Sequence, residues 1–210
     1  MGSGPGVLGN QMGFIDSHDV VVRVNNFKLS SRTGHRTDVF YSFFGFSIKK
    51  TPTELKRSGV TLCMCKCPNA KAIESPWHTK MGKHAGVDYR YIYISRRNFW
   101  FCDTYIPSTE DFLKTFEMLN RRMPTTGFSA LIDILSFNPA SVYMTGFDFF
   151  RSGIHNVTES WRPKSENKQD PISHNPEAER IWLEKNINNY NISMDDALSK
   201  LIKARQPEVA

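Results

Sequence analysis

Three short segments of this chain carry residue types that could do chemistry, and their order is fixed. A glycine-rich turn, GSGPG, occupies residues 2–6, and a second glycine turn, PTTG, occupies residues 124–127. Near the end, His174 precedes an Asn-Pro pair. Glycine turns let backbone amides approach an anion because no Cβ stands in the way. Together the segments predict an enzyme that holds a nucleotide-activated donor and deprotonates a hydroxyl acceptor.

His174 is the candidate general base. Asn175 and Pro176 form a good N-cap and first helical residue, so the ring is predicted to lie at the positive end of a helix. That field disfavours the imidazolium ion, and a neutral ring can accept a proton from a hydroxyl. Glu179, on the next turn, is predicted to orient the local structure, with Glu177 as an equally exposed alternative. The structural alternative is a surface histidine at a helix entry.

The two glycine turns also have structural alternatives. The first could be only a turn; its functional interpretation is a nucleotide site formed by Gly2, Ser3, Gly4 and Pro5. In the second turn, a hydroxyl before a helix caps that helix whatever its function. The functional interpretation is that Thr125, Thr126 and the amide of Gly127 hold a carboxylate or a phosphate of the donor.

The elements that must position these residues alternate between strands and helices. Strands are predicted at residues 18–27, 36–44, 59–67, 90–96 and 142–146. Helices are predicted at residues 51–57, after Ser108, around residues 128–135, after Asn175, and at a last helix opened by Ser193 and Asp196. The alternation predicts an α/β fold with a single doubly wound, mostly parallel sheet and flanking helices, of Rossmann-like type.

Two stretches of the chain stand outside this pattern. Residues 151–173 are polar and lack an apolar period, so we expect a mobile loop that folds over the donor and excludes water. His155 within that loop is a candidate contact to the leaving phosphate. The turn at residues 2–6 lacks the apolar strand that should feed it, so we expect either a trimmed chain or a misplaced start at Met1. Residues 1–210 are otherwise expected to form one domain.

The composition of the chain indicates which classes of binding partner are favoured. The net charge of +6 and the pI near 9.2 favour anionic partners, such as sugar nucleotides or an anionic membrane surface. Basic residues are dispersed, and no block of like charge indicates a nucleic-acid arm. No apolar run reaches the ~18–20 residues that span a bilayer, and no signal peptide is recognised, so a cytoplasmic protein is expected. Nothing in the sequence indicates an oligomeric state.

The cysteines favour a structural interpretation. Cys63, Cys65 and Cys67 alternate, so they would share one face of a strand. Metal sites usually use two-residue spacers and a second ligand pair, which is not recognised here. Buried, reduced thiols in a reducing compartment are therefore favoured over a zinc site.

The motifs and their order resemble glycosyltransferase family 29, the sialyltransferase family. The family's first motif runs Gly-Asn-Ser, Ile-Asp-Ser-His-Asp and Arg-x-Asn; here the matching stretches are GSG at 2–4, IDSHD at 15–19 and RVN at 23–25. GHRT at 34–37 matches a Gly-x-Arg-Thr stretch, and PTTG matches the second motif. His174 and Glu179, with four residues between them, match the last motif.

The resemblance implies a fold of GT-A-variant type and an inverting, metal-independent transfer. The donor would be a CMP-linked acidic sugar, sialic acid or Kdo, and the acceptor a hydroxyl of a glycan or glycolipid. Asn25 is implied to contact the nucleotide, which suits a residue beyond the carboxyl end of a strand. Arg23 and His18 are implied to hold the first motif together, while Asp16 and Asp19 cap its turn. No cofactor is expected, since CMP carries one phosphate and no D-x-D pair ends a strand.

Two departures and two rival functions accompany the resemblance. Ser3 replaces the family's asparagine, unless Asn10 takes that place, and neither glycine motif contains the cysteine found in animal members, which indicates a bacterial or viral type. One rival is a nucleotide- or dinucleotide-binding oxidoreductase that uses the first glycine turn, although it lacks a preceding strand and an acidic ribose ligand. The other is a non-catalytic nucleotide- or carbohydrate-binding relative.

Overall fold

The computed structural model describes residues 1–2, 4–44, 48–66, 100–150 and 174–203. In these ranges the strands are β1 (Val22–Val24), β2 (Val39–Ser42), β3 (Leu62–Cys65), β4 (Asp103–Tyr105), β5 (Val142–Met144) and β6 (Ile192–Met194). The α-helices are α1 (Pro52–Arg57), α2 (Thr109–Met118), α3 (Thr126–Ser136), α4 (Pro176–Asn186) and α5 (Asp196–Lys203). Short 3-10 helices cover Pro5–Gly9 and Ile15–Ser17.

Strands β1 to β4 form a parallel sheet in sequence order. The register places Arg23 beside Phe40, Phe40 beside Cys63, and Cys63 beside Thr104. Because neighbouring residues of a strand point to opposite faces, this register separates two hydrophobic clusters. Parallel strands need crossover connections, so all four carboxyl ends lie at the same edge of the sheet.

Helices cover both faces of this sheet. On one face, Val39 and Tyr41 of β2 pack in one cluster with Ala130 of α3. On the other face, Phe40 packs in one cluster with Leu55 of α1. The predicted doubly wound α/β fold class is therefore confirmed.

The remaining strands, β5 and β6, pair in parallel as a second sheet. Met1 and Gly2 bridge the two sheets. The amino group of Met1 donates to the carbonyl of Val22 at 2.7 Å, and the amide of Gly2 donates to the carbonyl of Thr145 at 2.8 Å. The single sheet expected from the sequence is thus realised as two parallel sheets joined through the first residues.

Each α-helix begins at a side chain that accepts a hydrogen bond from an amide of its first turn. The capping residues are Thr51, Ser108, Thr125, Asn175 and Asp195. The caps at Ser108 and Asn175 were readable from the sequence. The last helix begins at Asp196, as expected. The expectation is wrong for Ser193, which belongs to β6; the cap is the Asp195 carboxylate, which accepts from the Leu198 amide at 2.8 Å.

Two strands escaped prediction because they are too short to show an alternating pattern. β4 and β6 have three residues each, and they are strands by virtue of their parallel neighbours β3 and β5. β1 covers only three residues, Val22–Val24, of the expected range 18–27. The predicted strand at 90–96, the loop at 151–173 and Cys67 lie outside the described residues. Among the helices of the described part, none is long and apolar enough to cross a membrane.

Candidate functional site

The carboxyl ends of β1, β2 and β3 form a continuous polar row. The amide of Asn25 donates to the carbonyl of Tyr41 at 3.0 Å, and the hydroxyl of Ser42 donates to the Asn25 side-chain carbonyl at 3.3 Å. The amide of Lys66 donates to the carbonyl of Ser42 at 2.9 Å. Asn25 has a φ of 50°, a left-handed conformation that asparagine tolerates better than most residues. This row lies where open α/β sheets bind ligands.

The start of helix α3 is fixed to helix α4 by one carboxylate. Glu179, which is 2% exposed, accepts the amide of Thr125 at 2.6 Å and its hydroxyl at 2.8 Å. The same hydroxyl accepts the amide of Phe128 at 3.1 Å and so caps α3. Burial raises the pKa of Glu179 to about 7, while the bonds from Thr125 and the charge of Lys66 act in the opposite direction. The geometry agrees with the expectation that Glu179 orients the local structure.

His174 is held by a backbone carbonyl. Its Nδ1 lies 2.7 Å from the carbonyl oxygen of Met123, and the ring stacks on Phe150 at 6.4 Å between centroids. A carbonyl can only accept, so Nδ1 carries the proton and the neutral ring presents a basic Nε2. Burial first, and then the charge of Lys66, lower the pKa of His174 to about 4. The sequence predicted a neutral ring through the helix field; the larger cause is burial.

Lys66 is the site residue that sequence reasoning missed. It follows β3 directly, is 6% exposed, and lowers the pKa of both His174 and Glu179. It therefore connects the row of strand ends to the starts of α3 and α4. The available signal was a lysine directly after a continuous apolar strand, at the end where ligands bind.

The first glycine turn packs against the end of β5. The amide of Gly2 donates to Thr145, and the amide of Gly4 donates to the carbonyl of Gly146 at 2.7 Å. A Cβ on Gly2 would overlap the carbonyl of Gly146, and one on Gly4 would approach it to 2.9 Å. The amides of Gly2 and Gly4 are therefore already used, which corrects the expectation that they approach an anion. Ser3 and the side chain of Pro5 lie outside the described residues.

Asn10 is engaged by the same end of β5. Its side-chain amide donates to the Thr145 hydroxyl at 2.9 Å, and its carbonyl accepts the Tyr143 hydroxyl at 2.7 Å. The Asp195 carboxylate fixes the end of β5, because it accepts hydrogen bonds from the Thr145 hydroxyl and the Gly146 amide. These contacts give Asn10 a structural role, and the donor contact considered from the sequence stays a prediction.

The second glycine turn, at residues 124–127, packs against Phe147. A Cβ on Gly127 would overlap the Phe147 ring, so glycine allows the close packing of α3 on the segment after β5. Thr126 and Gly127 are the first residues of an eleven-residue helix. Helix geometry leaves their amides without intrahelical acceptors, so they remain suited to an anion.

The IDSHD and RVN motifs hold the fold together. Arg23 is fully buried and donates to the carbonyls of Thr33 and Arg36. The Asp16 carboxylate accepts the amides of His35 at 2.7 Å and Arg36 at 3.0 Å. Arg23 therefore acts as expected, whereas the carboxylate of Asp16 binds a second loop and not its own turn.

Further side chains around the first motif also hold its segments together. The Arg36 guanidinium donates to the carbonyls of His18 and Asp19, so Asp19 takes part through its backbone. The His18 ring packs edge-on against Phe14. Of the candidate site residues, His155 lies outside the described part of the chain. Within that part, no three His, Cys, Asp or Glu side chains are grouped to hold a metal ion.

The fold is similar to that of solved sialyltransferases. CstII from Campylobacter jejuni, in complex with the substrate analogue CMP-3FNeuAc, aligns over 92% of this chain and 78% of its own with a TM-score of 0.55 and 17% identity. CstII in complex with cytidine-5'-monophosphate aligns over 92% of this chain and 76% of its own, with a TM-score of 0.54 and 16% identity. At such identity the likeness shows a shared fold. No family model matches the chain, and no curated protein matches its sequence.

Proposed function

We propose that this protein is an inverting glycosyltransferase that moves an acidic sugar from a CMP-linked donor to a hydroxyl of a glycan acceptor. The observation that carries the proposal is the state of His174. Its Nδ1 donates to the Met123 carbonyl and burial disfavours its charged form, so Nε2 carries no proton at neutral pH. The fold shared with CstII, which was solved with CMP and with CMP-3FNeuAc, supports a CMP-linked donor.

The donor would lie across the polar row and the start of α3. Asn25 lies at the end of β1, and its side chain can contact the nucleotide. The amides of Thr126 and Gly127 lie at the positive end of the α3 dipole. This position favours the binding of a phosphate or a carboxylate. Lys66 adds a buried positive charge near the starts of α3 and α4, which favours an anionic donor there.

The proposed reaction is a single displacement. Nε2 of His174 accepts the proton of the acceptor hydroxyl, and the oxygen attacks the anomeric carbon from the face opposite the nucleotide. The bond from that carbon to the phosphate oxygen breaks, and CMP leaves with the electron pair. Lys66 and the first amides of α3 stabilise the developing charge on the phosphate. Glu179 contributes by fixing Thr125 and thereby the start of α3.

The test is release of CMP. Purified protein is incubated with CMP-sialic acid or CMP-Kdo and a panel of glycans, and CMP and product are measured. We expect CMP release that depends on one of the two donors and on a glycan acceptor. CMP should raise the melting temperature, whereas NAD should not. Stabilisation by NAD without CMP release would favour an oxidoreductase, and CMP binding without turnover would favour a non-catalytic relative.

A further inference from the structure

Two cysteine thiols lie side by side on the face of the sheet that α1 covers. The Sγ atoms of Cys63 in β3 and of Cys102, which directly precedes β4, are 3.3 Å apart and share a hydrogen bond. The register places Cys63 beside Thr104, and residues two apart along a strand share a face, so Cys102 lies on the same side. Both thiols are reduced. A disulfide has a sulfur–sulfur distance of about 2.05 Å, so the two sulfur atoms need to approach by about 1.3 Å to form one.

The two thiols differ in their exposure to solvent. Cys63 is fully buried in the hydrophobic cluster that contains Leu55 of α1, whereas Cys102 packs against that cluster from its edge and is partly exposed. Cys65, the next thiol along β3, is as deeply buried as Cys63. A small reagent in solvent therefore reaches Cys102 more readily than either thiol of β3.

The same arrangement favours the ionised form of Cys102. The hydrogen bond from the Cys63 thiol lowers the pKa of Cys102 most; burial opposes this shift, while a backbone hydrogen bond from Cys63 and the charge of Lys56 add to it. The hydrogen bond to Cys102, and then burial, raise the pKa of the Cys63 thiol. The thiolate is the nucleophilic form of cysteine. Cys102 is therefore the nucleophile of the pair, and Cys63 is its protonated neighbour.

We propose that Cys63 and Cys102 form a peroxide-sensitive thiol pair, in which Cys102 is oxidised first and Cys63 then closes a reversible disulfide between β3 and β4. The proposal stands on three observations: the contact between the two sulfur atoms, the difference in exposure, and the position of both thiols on one face of neighbouring strands. The pair makes a place of covalent modification of residues that the cysteine pattern alone predicted to be inert. This inference is independent of the proposed transferase activity.

The chemistry takes two steps. The Cys102 thiolate attacks an oxygen of hydrogen peroxide, the S–O bond forms, the O–O bond breaks, and hydroxide leaves with the electron pair. The sulfur of Cys63 then attacks the sulfur of the sulfenic acid; the S–S bond forms, the S–O bond breaks, and the departing hydroxide takes the proton of Cys63 to become water. Once Cys102 is a sulfenic acid, the thiolate that raised the pKa of Cys63 no longer exists, so Cys63 ionises more easily for this step. In total, two thiols and one peroxide give one disulfide and two waters.

The test is peptide mapping of the folded protein after treatment with a small molar excess of hydrogen peroxide and alkylation of the remaining thiols. Tryptic cleavage separates Cys102, in residues 98–114, from Cys63 and Cys65, in residues 58–66, and from Cys67, in residues 67–71. We expect a disulfide that joins 98–114 to 58–66 and disappears on treatment with dithiothreitol. In the untreated protein, iodoacetamide should alkylate Cys102 at least about tenfold faster than Cys63. No linked peptide, a link to 67–71 in its place, or equal alkylation rates would overturn the proposal.

Two matched variants of β3 assign the partner of Cys102. Cys65→Ala should still form the disulfide, whereas Cys63→Ala should form none and should accumulate the Cys102 sulfenic acid, which dimedone traps. Both residues are fully buried in the same strand, so the two variants lose similar packing. A disulfide that persists in Cys63→Ala, or one that is lost in Cys65→Ala, would show that Cys65 is the partner and would contradict the assignment. The mapping of the parent protein stands even where a variant folds poorly.

Discussion

The ring of His174 is oriented by a backbone carbonyl and not by a carboxylate, and this decides its charge. A carboxylate on Nδ1 would favour the imidazolium ion, whereas the Met123 carbonyl leaves burial and Lys66 to dominate. The pKa therefore falls from 6.5 to about 4, and the ring is neutral throughout the physiological range. A base of this kind depends on position more than on basicity.

Replacing His174 with alanine should lower kcat by about 10²–10⁴-fold, the usual range for a lost general base. CMP affinity should change little, because the base acts on the acceptor. In the parent enzyme the rate should fall as the pH drops through about 4 and the ring becomes protonated; the variant should lose this limb. Glu177→Gln is the matched control and should keep its activity. A folded His174→Ala protein with more than about a tenth of parental activity would remove His174 from the mechanism.

Lys66→Met should raise the pKa of His174, because the variant lacks a positive charge that opposes protonation. The acidic limb of the rate profile should therefore move to higher pH, towards 6.5. An NMR titration of the ring measures this without turnover. Lys66→Arg preserves the charge and should leave the pKa low. An unchanged titration in Lys66→Met would show that burial alone sets the charge state.

For single residues, the sequence predicted the roles that depend on neighbours in the chain. His174 and its Asn-Pro cap were readable because a cap and the residue before it are neighbours in the chain. Lys66 was not, because its importance comes from His174 and Glu179, which approach it only in the fold. The use of the Gly2 and Gly4 amides was hidden for the same reason: their acceptors belong to the far end of the chain.

At the scale of elements, α3 and α4 behave as one unit because Glu179 of α4 binds the residue that caps α3. The sign of its pH dependence follows from the raised pKa. A carboxyl whose pKa is higher in the folded than in the unfolded state stabilises the fold most below pH 4.5, and this contribution is lost as the pH rises through about 7. The shift corresponds to about 3 kcal/mol at most. His174 acts oppositely, since its lowered pKa stabilises the fold above pH 6.5 and loses that contribution as the pH falls through about 4.

Glu179→Gln should remove the first of these contributions. The free energy of unfolding of the parent, minus that of the variant, should decrease as the pH is raised from 5 to 8. Urea unfolding at each pH provides the measurement, and the difference removes the contribution of His174. Glu117→Gln, on the exposed face of α2, is the control for the loss of a surface carboxylate. A constant difference for Glu179→Gln would mean that the carboxyl is ionised throughout.

For the elements, periodicity predicted α2, α3, α4 and the buried strand β3, each of which has a long apolar pattern of its own. It could not predict β4 or β6, whose three residues become strands only beside an existing parallel edge. Nor could it show that the alternation of strands and helices would give two sheets. That outcome depends on which strand occupies each position in the sheet.

At the scale of the whole molecule, the two sheets meet through Gly2. Gly2→Ala should lower the free energy of unfolding by about 1–3 kcal/mol, because its Cβ would overlap the Gly146 carbonyl and the packing would have to shift. Gly9→Ala is the matched control, since nothing lies within 4 Å of a Cβ there. Urea unfolding compares the two variants. Equal stability would mean that the junction of the sheets has room to adjust.

The proposed chemistry needs no divalent ion, because a CMP donor carries a single phosphate and the candidate site offers it amides and Lys66. Activity should therefore be unchanged in the presence of excess EDTA. The same assay of CMP release provides the measurement. Activity lost on chelation and restored by magnesium or manganese would contradict this mechanism.

The hydrogen bond from Gly2 to Thr145 joins a residue to one made much later. A ribosome adds about 5–20 residues per second, so Gly2 waits on the order of ten seconds after its synthesis before its acceptor exists. Strands β1, β2 and β3 can pair during that interval, since their partners are close in sequence. The junction of the two sheets can close only afterwards, once Thr145 and Gly146 have been made. The pairing of the two sheets through Gly2 is therefore a late step of folding on the ribosome.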